Sequence, residues 1–192
     1  MTRTGVALLL MLGVTVTVSV LSMTDVFVYT PDSARYLIWG QSLARFEGYV
    51  DKSGPETARY VVHAPLFSLF LVPALWVSSP IIAAKAVNIV FVILVLVLMF
   101  LFVRAEHGDA SALAAIGFLF LNPLLILFST QILSDLAFVA AILLIFILAG
   151  RMMNLPHHHS LPRILSYAVL LSCAVLLREL GIAILVAVGA AM

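Results

Sequence analysis

Asp32, Asp135 and Arg178 are the residues of this sequence best suited to chemistry, because each stands beside long apolar runs where a charge needs a reason. Thr30-Pro31-Asp32-Ser33 reads as a helix start: Thr30 caps, Pro31 suits the first helical position, and Asp32 complements the helix dipole. Steps of about 100° per residue then put Tyr36, Trp39, Leu43 and Phe46 on one stripe with Asp32 at its head. A carboxylate on the membrane-facing side of such an amphipathic helix can take a proton or bind a cation. The plainer alternative is a helix-cap acid in a wet loop. Asp135, in LNPLLILFSTQILSDLAFVAAILL, either caps the helix that follows or supplies a second acid opposite Asp32. Arg178 and Glu179 are adjacent, so on a regular helix they point about 100° apart and cannot face one partner. A break at Gly181 is the cheaper arrangement. It leaves Arg178 either to hold a phosphate through a forked pair of hydrogen bonds or to pair with Asp25, Asp32 or Asp135. His63 can touch a phosphate or play a structural part at the interface, and Lys85 can snorkel outward from its helix. His157 to His159 lie between prolines and read as a solvated loop, since three consecutive histidines cannot all reach one metal.

The elements that must position these groups follow from composition. Of 192 residues, 64% are apolar and 10% charged, and the mean hydropathy is +1.22. A soluble domain is roughly 45–50% apolar and about 25% charged, so this chain has a bilayer as its natural solvent. A net charge of +1 gives no nucleic-acid signal, and the single Cys173 excludes an internal disulfide. Gly5 to Thr24 reads as a retained signal-anchor helix. Pro80 to Val103, Ala110 to Phe128, Leu136 to Gly150 and Ile164 to Leu177 read as further spans, and Leu180 to Met192 is apolar to its end. Pro65 to Val77 is too short to cross and reads as interfacial or re-entrant. The expectation is an all-α polytopic membrane protein of about five to six transmembrane helices in a single module over 1–192. That module has its anchor in 1–24, an outer loop with interfacial helices in 25–79, and a helical bundle in 80–192 that stops inside a sixth helix.

With Arg3 cytoplasmic, Arg104, Arg151 and Arg163 fall on the cytoplasmic side, in keeping with the positive-inside rule. Asp25, Asp32, Asp135, Arg178 and Glu179 then converge on the extracytoplasmic face of a plasma or inner membrane. A spanning Pro65–Val77 would put Asp135 and Arg178 on the opposite side from Asp32, so cysteines at Ser33 and Ser134 should be labelled from one side. There is no Walker loop, GxSxG, HExxH, GxxxG or internal repeat.

Four stretches in this order resemble the N-terminal module of GT-C superfamily glycosyltransferases, such as dolichyl-phosphate-mannose-protein mannosyltransferase-like and aminoarabinose transferase-like proteins. PDSARYLIWGQSLARFEGY is similar to the acid-containing first outer loop of that family. HAPLFSLFLVPAL is similar to its P-P-L-Y-P-like segment, with Ala64 where a first proline is common. LNPLLILFSTQILSDLAF and LLRELGIAILVA are similar to its P…S…S-D and R-x-x-G-L stretches. The resemblance implies inverting transfer of a sugar from a polyprenyl-phosphate donor to an acceptor, with lipid and no nucleic acid as further partners. It implies that Asp32 activates the acceptor and that Asp135 positions it or orients an amine or metal. Arg178 would hold the departing phosphate, with Lys85, Arg59, His63 and Tyr36 in support. Some relatives use a divalent metal and others do not, so a metal is possible and none is assigned. The family's enzymes are longer, which makes the front part of a larger enzyme the expectation here. A non-catalytic membrane protein, such as a transporter segment or assembly subunit, is the alternative.

Overall fold

The computed structural model describes residues 2–26, 30–54, 63–77, 80–153 and 161–191. All regular structure among them is helical. In chain order the helices are α1 (Arg3–Leu21), α2 (Pro31–Ala44), α3 (Leu66–Leu71), α4 (Pro80–Phe120), α5 (Pro123–Ser129), α6 (Asp135–Met153), α7 (Leu161–Leu177) and α8 (Gly181–Ala191), with a 3-10 turn at Val72–Trp76. Two of them, α1 and α4, are long and apolar enough to cross a membrane. The segment after Pro65 is a six-residue helix and a five-residue 3-10 turn, too short to do so.

Gly108 divides α4: its φ of 76° and ψ of 179° leave a first arm over 80–107 and a second over 109–120. The charged residues around it expected a stop here, and glycine supplies the backbone conformation that other residues resist. Both arms feed one core, which joins Val92, Leu96 and Phe100 to Ala112 and Ile116.

One expected span is interrupted. The apolar stretch Ala110–Phe128 breaks at Leu121 and Asn122. Pro123 lacks the N–H that a continuous helix needs, and Asn122 Oδ1 accepts instead from Leu124 N–H at 3.0 Å to start α5. A second departure concerns α2. Tyr36 and Trp39 face protein rather than lipid, in a core with Phe67, Leu71, Ile132 and Phe138. Gly40 permits this packing, because a β-carbon there would lie 2.9 Å from Leu75 Cδ1 and 3.3 Å from the Ser68 carbonyl oxygen. Phe46 leaves the stripe altogether: α2 ends at Ala44, Glu47 N–H reaches back to the Ser42 carbonyl, and Phe46 takes the left-handed conformation (φ 60°) with its side chain exposed.

The bundle is assembled on α4, which carries α1 on one side and α6 on another; α7 packs on α6, and α8 on α7. Thr15 and Ser19 are the buried residues of α1, and Ser129 of α5 donates to Ser19 Oγ at 3.0 Å. The outer face of α1 exposes Leu9, Leu10, Val14 and Leu21.

Candidate active site

The sequence of α2 builds its own first turn. Thr30 Oγ1 accepts from Ser33 N–H at 3.2 Å and donates to Ser33 Oγ at 2.6 Å, Pro31 opens the helix, and Asp32 follows. Asp32 therefore leans on a helix N-terminus, where its charge is favoured. Its Oδ1 lies 3.2 Å from His63 Nε2, with the two side chains 41% and 26% exposed. His63 is held from several directions. Its ring packs against Tyr36 and Trp39, each with centroids 5.7 Å away, and its carbonyl accepts from the Tyr49 hydroxyl at 3.0 Å.

Tyr36 ties this pair to a second one. Its hydroxyl shares a 2.9 Å hydrogen bond with Ser134 Oγ, 98 positions away in the chain. Ser134 precedes α6, and its carbonyl accepts from Phe138 N–H, the bond that begins the helix. The next residue, Asp135, pairs through Oδ1 with Arg178 Nη1, both side chains about one-third exposed. Arg178 occupies the gap between α7 and α8 that the Gly181 break creates. There the Arg178 carbonyl accepts from Gly181 N–H at 2.9 Å. The helix break and the acid-headed α2 stand as expected from sequence; Arg178, open there to a phosphate or to Asp25, Asp32 or Asp135, pairs with Asp135.

Burial pushes the Tyr36 phenol above its ordinary value of 10.0, while the Ser134 hydrogen bond and the Arg178 charge pull it back and Asp32 and Asp135 push it up. The same phenol thus feels both acids and the arginine. Burial also pushes the Tyr49 phenol up to about 12. With their pKa values pushed up, both tyrosines remain neutral near pH 7. Tyr36 is buried and its hydroxyl is engaged by Ser134.

Lys85 does not join the cluster. It is 1% exposed, and its Nζ donates to the carbonyls of Thr24 at 2.8 Å and Val26 at 2.9 Å. Lys85 grips the chain leaving α1 instead of extending to the surface. Arg59 and His157 to His159 lie outside the described residues. Trp39 and Tyr49 carry no motif and Ser134 enters only as the serine of the S-D pair, so the residues alone gave none of them a chemical part; the one available signal was the spacing of Tyr36 and Trp39 on a single face. Among the described residues no three His, Cys, Asp or Glu side chains gather to hold a metal ion.

Compared with protein-family models, with curated proteins and with solved structures, the chain matches none of them.

Proposed function

We propose that the chain is a polytopic membrane glycosyltransferase module of the GT-C type, moving a sugar from a polyprenyl-phosphate donor to an acceptor at the extracytoplasmic face. The observation that carries this reading is the junction at Tyr36, through which the Asp32–His63 pair and the Asp135–Arg178 pair share one neighbourhood. Membrane insertion is supported by the apolar outer face of α1 and by the placement of charges along α6. That helix begins at Asp135 and carries Arg151 in its last turn, about 24 Å further along its axis, a distance near the ~30 Å hydrocarbon thickness.

The chemistry assigns one task to each pair. The acceptor hydroxyl gives its proton to the Asp32–His63 pair as its oxygen attacks the anomeric carbon. The bond from that carbon to the phosphate oxygen breaks, the electron pair goes to the oxygen, and polyprenyl phosphate leaves with inversion at the sugar. Arg178 can exchange the Asp135 carboxylate for the developing phosphate charge, since both present paired oxygens to its guanidinium.

The pairing of both carboxylates favours a second reading, in which one pair only fastens α2 to the segment before α3 and the other only fastens α6 to the α7–α8 break. Exchanging the charges separates the two. Asp135→Arg combined with Arg178→Asp should preserve thermal stability within about 1 kcal/mol, as expected for a partly exposed pair. Transfer from radiolabelled polyprenyl-phosphate hexoses and pentoses should nevertheless be lost. Recovery of transfer in the exchanged variant would leave Arg178 a fastening residue.

Sidedness has its own test. Ser33 and Ser134 are buried, so the probes belong at Phe46 and Leu180, which are 90% and 63% exposed. In a Cys173→Ser background, Phe46→Cys and Leu180→Cys should react with an impermeant thiol reagent from the outside of intact cells. Glu106→Cys, also at an exposed position, should react only after lysis. Labelling of Phe46→Cys and Leu180→Cys from opposite sides would break the proposed arrangement.

A further inference from the structure

The end of the bundle away from the acids holds a cleft of about 490 Å³ between α4 and α6. Its walls are Leu101 and Phe102 on α4 and Phe146 and Ile147 on α6, with the Phe102 and Phe146 ring centroids 6.3 Å apart. Small residues keep it open: Ala105 lines it, and nothing stands within 4 Å of where a Gly150 β-carbon would be. Its rim carries one acid and one base, Glu106 and Arg151, both exposed. Neither forms an ion pair among the described residues. The neighbouring Arg104 is differently placed, held by Asp109 at 2.7 Å and lying over the Phe100 ring.

We propose that this cleft binds a phospholipid whose headgroup joins a phosphate to a primary ammonium, a phosphatidylethanolamine. Arg151 takes the phosphate and Glu106 takes the ammonium, while an acyl chain runs along the Phe102–Phe146 wall. Three observations converge on this occupant. The cleft has the volume of a small-molecule site, which is typically about 300–1,000 Å³. Its walls are apolar and, among the described residues, its charged lining is one acid and one base, as a zwitterion requires. Its rim lies at the Arg151 end of α6, where the bilayer reading puts the headgroup layer. A phosphatidylglycerol would leave Glu106 facing an anion without a compensating ammonium. A phosphatidylcholine carries a quaternary nitrogen with no N–H to donate to the carboxylate.

The inference depends on insertion in a bilayer and not on sugar transfer. The full chain, purified in detergent and exchanged into an equimolar mixture of the three lipids, is analysed by native mass spectrometry. Phosphatidylethanolamine should be enriched roughly tenfold over each of the others, the scale of one charge-assisted hydrogen bond. Glu106→Gln should erase its advantage over phosphatidylcholine, and Arg151→Gln should weaken retention of all three. Both residues are exposed, so helix content measured by circular dichroism should not change in either variant. Equal retention of the three lipids, or a preference that survives both substitutions, overturns the proposal and leaves the transferase reading standing on its own assay.

Discussion

Replacing Asp32 with Asn should reduce sugar transfer about 10²- to 10⁴-fold, the usual contribution of a positioned general base, with little change in the amount of folded protein. The expectation rests on geometry. Asp32 is 41% exposed, belongs to neither core, and has the His63 ring nitrogen 3.2 Å from its Oδ1. Asparagine keeps the shape, and its amide oxygen can still receive a hydrogen bond from His63, but it cannot take a proton. The loss should therefore appear in kcat while KM for the donor stays near its original value, because the donor phosphate is assigned to Arg178. His63→Gln makes the complementary case. If His63 orients the carboxylate, its loss should be milder and should appear in kcat, with the donor KM unchanged. Full activity in Asp32→Asn would remove Asp32 from catalysis and favour the fastening role for the whole cluster.

Gly181→Ala should be the most damaging conservative substitution in the described bundle, although it alters no charge. A β-carbon at Gly181 would sit 2.5 Å from the carbonyl carbon and oxygen of Ala174 and from Val175 N. Those are backbone atoms of α7, and no rotamer change can move them aside. Relief requires α8 to shift bodily, at a cost of about 1–3 kcal/mol or more. The shift also reaches Arg178, whose carbonyl receives Gly181 N–H, and so pulls the guanidinium away from Asp135. The expected outcome is a lower melting temperature together with a raised donor KM. Gly13→Ala is the matched control, since nothing lies within 4 Å of that position. Its stability should be unchanged or slightly raised by alanine's better helix propensity. A Gly181→Ala protein as stable as the control would mean that α8 does not pack on α7 as described.

Several of these elements were legible from the residues alone, for a common reason. Rare groups in an apolar chain announce themselves: Pro31 beside a capping threonine, the Arg178-Glu179 doublet before Gly181, and the two prolines that shorten the segment after His63. Each is a local signal whose consequence is also local. The readings that went astray required knowledge of a partner. The Tyr36–Trp39 stripe looked suited to lipid because nothing in its own spacing reveals that α3 will cover it. Lys85 looked free to snorkel because the carbonyls it binds are about sixty positions away. Asn122-Pro123 was a local breaker too, outweighed by the hydrophobicity around it. The Tyr36–Ser134 bond spans 98 positions, and although each residue stands in a stretch already singled out, nothing there marks the two as partners.

Lys85 has a consequence for the order in which the protein is made. An ammonium buried to 1% exposure is tolerable only while its hydrogen bonds are satisfied, and both acceptors belong to the chain just beyond α1. Synthesis runs from the N-terminus, so those carbonyls have left the ribosome before Lys85 does. The segment just beyond the first helix is therefore a waiting partner: α4 can complete its burial on arrival, and the cation need not linger unpaired during biogenesis. Timing, as much as contact, is built into that pair of hydrogen bonds.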